Sequence, residues 1–228
     1  MRKRSKRYEE ASKRIDHAKL YPAREALGLL KGLPAPKFDE TVDVVVRLGI
    51  DPKKTDQLVR GAVSLPKGLG KAVRVVVFAE GEKAEAARAA GADEVGSEDL
   101  AKRILDGWLD FDIVIASPDM MKHVGKLGKV LGPQGKMPSP KSGTVTPEVG
   151  QAVLEFKAGK VEFRTDAGGN VHAPVGKRSF SVDDLEQNLV AFLTHLTSLR
   201  PAAVKGNFLR KVSVSTTMSP GALIAFEG

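Results

Sequence analysis

The sequence predicts a protein of mixed class with two domains, a discontinuous α+β domain from residues 1–67 and 160–228 and an α/β domain inserted at 68–159. Three observations predict it. Near both chain ends, apolar residues alternate with polar ones, as in strands with one buried face. In the middle, nearly continuous apolar strands alternate with helices, as in a small parallel sheet. Glycine-bearing segments at 66–71 and 159–160 separate the two textures and suit a hinge.

Two helices and two strands are predicted in the first segment. Helices fit residues 4–18 and Pro22–Leu33, and the prolines that follow end the second helix. The next stretch, Val42–Ile50, places apolar side chains at every second position, which predicts a strand with one buried face. A polar turn at 51–56 then leads into a second strand over Leu58–Leu65.

The middle segment alternates strands and helices. Ala72–Ala79 is nearly continuous in apolar residues, as in a strand that is covered on both faces. Ser97 precedes two acidic residues and is predicted to cap a helix. The other predicted elements are strands at Glu94–Gly96 and Asp112–Ser117 and helices at Glu82–Ala90, Pro118–Lys126 and Pro147–Ala158.

The last segment again shows the alternation of apolar and polar residues that is seen in the first. Strands at Val161–Thr165 and Val171–Val175 flank residues 166–170, whose composition predicts a hairpin turn. An amphipathic helix with a capping box at its start is predicted from Ser181 to Ser198. Phe208–Thr217 is predicted as the last strand.

Positive charge is concentrated at the two ends of the chain. Residues 1–67 hold 16 Lys/Arg and 9 Asp/Glu, a net of +7, and residues 160–228 hold 8 and 6, a net of +2. Residues 68–159 hold 12 and 13, a net of −1, within a total of +8. Cations that meet phosphates release condensed counterions, so this balance favours a polyanionic partner. A basic surface that only serves solubility is the alternative.

Composition excludes several classes of protein. The chain has no cysteine, so it has no disulfide framework, no thiolate metal site and no cysteine nucleophile, which fits the cytoplasm. No apolar run approaches the ~18 residues of a membrane span. No apolar segment follows the basic residues 1–7, as it would in a secretory signal. We therefore expect no membrane partner.

Nucleotide-binding and catalytic motifs are also missing. Gly135-Lys136 is followed by Met137, where a phosphate loop needs Ser or Thr. The glycines at 68 and 70 precede a strand, whereas a dinucleotide fingerprint follows one. The four histidines are scattered, and no serine stands in a nucleophile elbow. The sequence thus predicts no enzyme and no cofactor, with a nucleotide-dependent enzyme built on the middle domain as the rival hypothesis.

Three stretches carry candidate binding residues. Lys37 and Phe38 stand before the Val42–Ile50 strand, where the ring could stack on a base and the ammonium meet a phosphate. The alternative is that Phe38 caps a core. Hydroxyl side chains at 213–219 suit the sugars and phosphates of RNA. Residues 120–145 hold five lysines, no acid and interleaved glycines and prolines, which fits either a phosphate-binding loop or a plain surface loop.

Short motifs run in order along nearly the whole chain. They include Lys37-Phe38-Asp39-Glu40-Thr41, Leu48-Gly49-Ile50-Asp51-Pro52, Gly68-Leu69-Gly70-Lys71, Gly132-Pro133, His172-Ala173-Pro174-Val175-Gly176-Lys177 and Thr216-Thr217-Met218. Together they resemble the bacterial ribosomal protein L-one family. The resemblance implies a split β-α-β type domain from both chain ends with an inserted Rossmann-like domain. It also implies a protein of the mobile stalk of the large ribosomal subunit, cytoplasmic and monomeric within the ribosome.

The resemblance also implies partners. The split domain is expected to bind the rRNA of the stalk, and the same surface is expected to bind the mRNA of the protein's own operon as a translational repressor. The stalk is expected to assist release of exit-site tRNA. A free messenger-binding regulator is the alternative that would use the same surface.

Site residues follow from the resemblance position by position. The core of the rRNA site is implied to be Lys37, Phe38, Thr41, Thr217 and Met218. The predicted site further includes Ser219, Arg4, Lys6, Arg7, Arg164 and Lys211, and a second RNA contact is predicted at Lys136 and Lys141. The chain departs from the family pattern at Ser219, where glycine is usual, and at Gln134, Lys136 and Ser139 in the middle-domain loop.

Overall fold

The computed structural model describes residues 4–226, a mixed α/β fold with several sheets and helices. The chain divides into two compact units. The first unit holds the chain up to Gly70 and from Val161 onwards, and the second unit holds residues 71–160. The predicted mixed class is confirmed, whereas a separately folding, inserted domain stays a prediction. Residues 1–3 of the basic N-terminal run lie outside the described part.

The elements are labelled in chain order. The α-helices are α1 (Lys6–Lys13), α2 (Ala23–Lys31), α3 (Glu82–Ala89), α4 (Glu98–Leu105), α5 (Met121–Val124), α6 (Gly128–Leu131), α7 (Val149–Ala158) and α8 (Val182–Ser198). The strands are β1 (Leu20–Tyr21), β2 (Thr41–Leu48), β3 (Arg60–Ser64), β4 (Val75–Phe78), β5 (Glu94–Gly96), β6 (Ile113–Ala116), β7 (Lys160–Arg164), β8 (Asn170–Lys177), β9 (Leu209–Thr216) and β10 (Ala222–Ile224).

The first unit is built around β2. This strand pairs antiparallel with β8 on one side and with β9 on the other, in a sheet of order β1-β10-β9-β2-β8. Its side chains Val42, Val44 and Val46 are buried in the core that α2 and α8 also line. The alternate side chains Asp43, Val45 and Arg47 are half-buried or exposed. The sheet is therefore covered on one face only, as the alternating sequence predicts.

Helix α8 has the predicted cap and the predicted buried stripe. The amide of Asp184 donates to the Ser181 hydroxyl at 3.0 Å, and that hydroxyl donates to the Asp184 carboxylate at 2.6 Å. The cap satisfies an amide of the first turn that has no partner within the helix. Leu185, Leu189 and Phe192 are fully buried at helical spacing. One face of α8 is thereby fixed against the sheet of the first unit.

The second unit contains a parallel sheet of order β5-β4-β6. Val76 and Phe78 of β4 are buried in a core shared with α4 and α6. Val75 and Val77 point to the other side and are buried in a core shared with α3 and α7. Helices therefore cover both faces, as the nearly continuous apolar run predicts.

Two details of the predicted helices are wrong. Helix α1 ends at Lys13 and not near residue 18, because the amide of Asp16 donates to the Tyr21 hydroxyl at 3.0 Å and the chain turns to bury Ile15. Ser97 makes no side-chain cap on α4, and its backbone (φ −130°, ψ −108°) is outside the extended conformation of a capping residue.

The predicted turn at residues 166–170 is confirmed, but the strands on either side of it pair mainly with other strands. β7 pairs with β3, and β8 pairs with β2 in a different sheet, so a single bridge between Thr165 and Val171 joins β7 and β8 at the turn. The Thr165 hydroxyl donates to the Val59 carbonyl at 2.7 Å, 106 residues away in the chain. Local composition predicts the turn correctly, but the strand partners are set by these distant contacts.

The basic segment at residues 120–145 is partly helical instead of a long loop. Three-ten turns at Pro118–Met120 and Gly125–Leu127 alternate with α5 and α6, which breaks the single helix predicted there. Glycines weaken a continuous helix, whereas Val124 and Leu127 are fully buried and hold the turns against the core. The short strands β1 and β10 are absent from the sequence prediction, because two or three residues show no periodicity.

Candidate nucleic-acid interface

The two halves of the predicted site meet at the ends of neighbouring strands. β2 begins at Thr41 and β9 ends at Thr216, which is paired in register with Val42. Beyond this pair, the amide of Thr217 donates to the Thr41 carbonyl at 3.1 Å, and the amide of Thr41 donates to the Thr217 hydroxyl at 3.1 Å. Antiparallel pairing thus joins residues that are 176 positions apart. We call this place, with residues 37–41 and 217–219, the strand-end site.

Two large apolar side chains at the strand-end site are open to solvent. Phe38 is 52% exposed and Met218 is 48% exposed. The alternative in which Phe38 caps a core is therefore wrong. Lys37 beside it is exposed as well. An exposed ring and a thioether next to a cation and hydroxyls suit apolar contact and stacking with unpaired bases.

A cation that the sequence analysis left out belongs to the same place. The Lys177 ammonium donates to the Thr41 hydroxyl at 2.9 Å, across the register pair of β8 and β2. Nearby, the Asp39 carboxylate accepts bonds from the Ser179 amide at 3.1 Å and the Ser179 hydroxyl at 2.7 Å. Lys177 ends one of the motifs that carry the family resemblance, and that position is the signal that could have found it.

A buried ion pair lies behind the exposed side chains. The side chains of Glu40 and Arg178 are only 1% and 13% exposed, and their charged atoms are 2.6 Å apart. The other Glu40 oxygen accepts from the Met218 amide at 2.9 Å. The Arg178 guanidinium also donates to the carbonyl of Lys31 at 2.8 Å and to that of Leu33. The pair links the end of α2, the start of β2 and the turn after β9.

Two of the predicted N-terminal cations reach the strand-end site. The Arg7 guanidinium lies 3.4 Å from the carbonyl of Met218 and 3.4 Å from that of Pro34, to both of which it donates. The Arg4 guanidinium stacks 4.3 Å from the ring centroid of Tyr8. These residues line an open cleft of about 320 Å³ together with Thr217, Met218 and Ser219.

Ser219 is tied to the backbone around it. Its hydroxyl accepts from the Thr216 amide at 2.9 Å and donates to the Pro220 carbonyl at 3.0 Å. Its amide donates to the Thr216 carbonyl at 3.1 Å. Where the family usually has glycine, this chain therefore has a side chain that closes the turn after β9.

Three predicted contacts of the first unit are not among the residues that line this cleft. Lys6 is exposed on α1, and Arg164 is exposed at the end of β7 in another sheet. Lys211 is exposed on β9 and pairs in register with Arg47, well before the strand ends. These cations contribute positive surface, but the fold does not gather them at the strand-end site.

The two lysines of the second predicted contact differ in what they touch. The Lys136 ammonium donates to the carbonyls of Phe111 at 2.6 Å and Leu109 at 3.2 Å, and it lies 4.7 Å from the Phe111 ring centroid. It is engaged within its own unit. Lys141 is exposed in the short turn Pro140–Ser142, so it is the one of the two that faces solvent.

Among the carboxylates of the first unit with shifted pKa values, Asp43 and Asp166 lie on or next to the β2–β8 pair. Burial raises the pKa of Asp43, and the nearby Lys177 and His172 oppose that rise. Hydrogen bonds from the amide and side chain of Asn170 lower the pKa of Asp166 to about 2. The raised pKa makes Asp43 easier to protonate than an exposed aspartate.

Within residues 4–226, no three His, Asp or Glu side chains are grouped so that they could hold a metal ion. No helix in that range is long and apolar enough to span a membrane. What the fold does bring together is a set of cations, hydroxyls and exposed apolar side chains. These features are typical of the class of proteins that bind nucleic acid.

Comparison with known proteins defines the family. The model of the "Ribosomal protein L1p/L10e family" matches residues 29–220. A protein of Bordetella pertussis named "Large ribosomal subunit protein uL1" is 58% identical over 224 residues, which cover 98% of this chain and 97% of that protein. A protein of the same name from Kosmotoga olearia is 54% identical over 221 residues, covering 97% and 96%.

The chain belongs to the ribosomal protein L1p/L10e family. The resemblance predicted from the motifs is confirmed. The family consists of structural ribosomal proteins and not of enzymes, so the prediction that the chain is not an enzyme is confirmed and the nucleotide-dependent enzyme is rejected.

Proposed function

We propose that the chain is a structural component of the large ribosomal subunit and binds its rRNA through the strand-end site. The observation that carries the proposal is the reciprocal contact of Thr41 with Thr217, because it brings the exposed side chains of Phe38 and Met218 to the ends of neighbouring strands. The relatives named as large-subunit proteins support the location, the ribosome of the cytoplasm.

The chemistry of the strand-end site suits RNA that is not fully paired. A base stacked on an exposed ring such as Phe38 gains about 1–3 kcal/mol. Lys37, Arg4 and Arg7 are placed to neutralise phosphates, which positions the RNA without reading its sequence. The hydroxyls of Thr41 and Thr217 suit the 2′-OH groups that distinguish RNA from DNA. The outlying cations Lys6, Arg164 and Lys211 add attraction that depends on salt.

The family resemblance supports a finer version of the proposal. The bound rRNA element is that of the mobile stalk, and the same surface binds the mRNA of the protein's own operon and represses its translation. One copy acts in the ribosome, where the stalk assists release of exit-site tRNA. Lys141, on the second unit, is the proposed additional RNA contact. We also propose that residues 68–159 form a separately folding domain, inserted into a split domain that holds the strand-end site.

Single substitutions in the strand-end site test the proposal. Phe38→Ala and Thr217→Ala are each expected to weaken binding to a stalk rRNA fragment by at least ~1 kcal/mol, about fivefold, which is the scale of one lost base contact. Filter binding at one fixed salt concentration measures the affinity. Leu58→Ala is the matched control, because Leu58 is also a large apolar side chain, 44% exposed, outside the strand-end site.

Two results would count against the proposal. Wild-type affinity in both site variants would remove the site assignment. No preference of the wild-type chain for the stalk fragment over an unrelated hairpin of equal length would remove the function itself. Sedimentation of cell lysate in a sucrose gradient separates the two remaining hypotheses, because a ribosomal component travels with the large subunit and a free messenger-binding regulator does not.

A further inference from the structure

Glu40 and Arg178 form the least exposed ion pair among those of the described residues. A buried ion pair adds little net stability, because the loss of hydration of both charges offsets their attraction. Replacing such a pair by apolar side chains of similar volume is often neutral or even stabilising. Stability alone therefore does not account for this pair, and the contacts that it makes are more informative.

Those contacts converge on three backbone segments. Glu40 accepts the Met218 amide at 2.9 Å with one oxygen and Arg178 at 2.6 Å with the other. Arg178 reaches the carbonyl of Lys31 at 2.8 Å with its guanidinium, and its own amide donates to the Glu40 carbonyl at 2.8 Å. Planar guanidinium donors in a fixed fork can serve several acceptors at once, whereas a lysine ammonium is a compact charge without that fork.

Each segment lies next to a residue of the proposed RNA site. Glu40 follows Phe38 by two positions, and Met218 is itself a proposed contact. The end of α2 leads to Pro34, whose carbonyl accepts from Arg7. Because both side chains of the pair are almost fully buried, they are poorly placed to touch RNA themselves.

We propose that Glu40 and Arg178 are positioning residues, which hold the Met218 turn and the Phe38 segment in the arrangement that binds RNA. This inference rests on the proposed function. A site whose parts are already fixed loses less conformational entropy when the RNA binds. Removing the pair therefore weakens binding without removing any contact to the RNA.

The double variant Glu40→Leu/Arg178→Met separates positioning from stability. Apolar side chains of similar size keep the region packed, but they give the Met218 amide no acceptor. We expect the variant to stay folded, with a loss of stability no larger than that of Val46→Ala, and to bind the stalk rRNA fragment at least fivefold more weakly. The slope of log affinity against log salt should stay unchanged, because no phosphate contact is lost.

Val46→Ala is the matched control. Val46 is fully buried on the same strand as the start of the site, and its truncation lowers stability without touching the Met218 turn. Binding to the fragment should stay within about twofold of wild type, provided that the protein remains folded. Equal losses of affinity in this control and in the double variant would overturn the inference.

A second measurement does not depend on RNA. Hydrogen exchange of the Met218 amide in the free protein should be slow in the wild type and fast in Glu40→Leu/Arg178→Met, because the variant lacks the carboxylate that accepts it. Exchange that is equally slow in both would overturn the inference. If the wild type fails to bind the stalk fragment, the proposed function fails, and the exchange rates still decide whether the pair fixes the turn.

The remaining outcomes are also decisive. Wild-type affinity in the folded double variant overturns the inference. If the slope of log affinity against log salt becomes shallower by about one, the variant has lost one phosphate contact. Arg178 then touches the RNA directly, and the inference is overturned. If the double variant does not fold, Arg178→Lys takes its place, since it keeps the charge and loses the fork. Weaker binding with an unchanged salt slope is then the supporting result, and unchanged affinity the opposing one.

Discussion

The central sheets of the two units differ in how many of their faces are covered. Helices pack on one face of the β2 sheet in the first unit, and polar or half-buried side chains occupy the other face. In the second unit, helices cover both faces of the β4 sheet. The first arrangement leaves strands and their ends available to a ligand, whereas the second leaves only loops and helix surfaces. The strand-end site belongs to the sheet with one open face.

The largest expected effects come from the two cores. Phe192 in the first unit and Phe156 in the second are both fully buried, so each change to alanine should cost about 3–5 kcal/mol. If the units fold separately, Phe156→Ala lowers only the urea midpoint reported by Trp108, the single tryptophan, which lies in the second unit. Phe192→Ala then lowers the urea concentration at which half of the RNA binding is lost. Equal shifts of both midpoints in both variants would contradict separate folding.

A pair of valine substitutions tests the difference between open and covered faces directly. Val45 on β2 is half-buried on the open face, and Val77 on β4 is fully buried between helices. Val77→Thr should destabilise by about 1–3 kcal/mol, because it buries a hydroxyl among apolar side chains. Val45→Thr should stay within about 0.5 kcal/mol. Urea unfolding measures both, and similar losses would mean that the β2 face is not open.

One carboxylate in each unit tests how hydrogen bonds and ion pairs contribute to stability. Asp166 has a pKa of about 2 in the folded chain, below the ~3.9 of an unfolded aspartate, so its stabilisation is present above pH ~3.9 and is lost as the pH falls through about 2. Asp166→Asn should lower stability at pH 7 by less than about 1 kcal/mol, since the side chain is 40% exposed and screened by solvent.

Asp112 in the second unit is the comparison for Asp166. Its pKa is lowered although burial opposes this, because the Lys71 ammonium lies 2.7 Å away and the Arg74 amide also donates to it. The Asp166→Asn effect should persist in 0.5 M salt, as it rests on hydrogen bonds from Asn170, whereas the Asp112→Asn effect should shrink because salt screens an exposed ion pair. Unfolding at pH 7, with and without salt, gives both values. Equal salt sensitivity would contradict this distinction.

The smallest expected effect is that of a large deletion. If the first unit is a domain in its own right, the chain should still fold after residues 68–159 are removed and the ends are rejoined. Its affinity for the rRNA fragment should stay within about twofold of wild type. Contacts between Val59 and Thr165 and between Arg60 and Glu162 hold β3 and β7 side by side, so the new ends lie close together. Circular dichroism and filter binding are the measurements. Loss of both fold and binding would refute the split domain.

Regular local patterns are what the sequence predicts well. The alternation in β2, the apolar run of β4 and the capped stripe of α8 are periodic over several residues, and the structure confirms each. Strand partners were not predictable from local composition. The turn at residues 166–170 is a case in point, because distant segments recruit β7 and β8 into different sheets.

Some residues of the candidate site can likewise be predicted from the local sequence, and others cannot. Lys37 and Phe38 could be singled out locally, but whether Phe38 was buried or exposed depended on packing that no local pattern encodes. The link from Thr41 to Thr217 was reached only through family motifs, since 176 residues separate them. Arg178 was missed altogether. Its proposed role follows from acceptors on two separate segments, Glu40 before β2 and the carbonyls at the end of α2, which become neighbours only in the folded chain.

The pairing of β2 also determines how late during synthesis the sheet of the first unit can form. Its partners in register include Lys177 and Thr216, both made long after Thr41. At translation rates of 5–20 residues per second, β2 waits on the order of ten seconds or more with unpaired edges. Such edges attract other strands, and pairing over long separations is slow. A chain that ends before Thr217 therefore lacks one half of the strand-end site, and we expect it to bind RNA more weakly than the full chain.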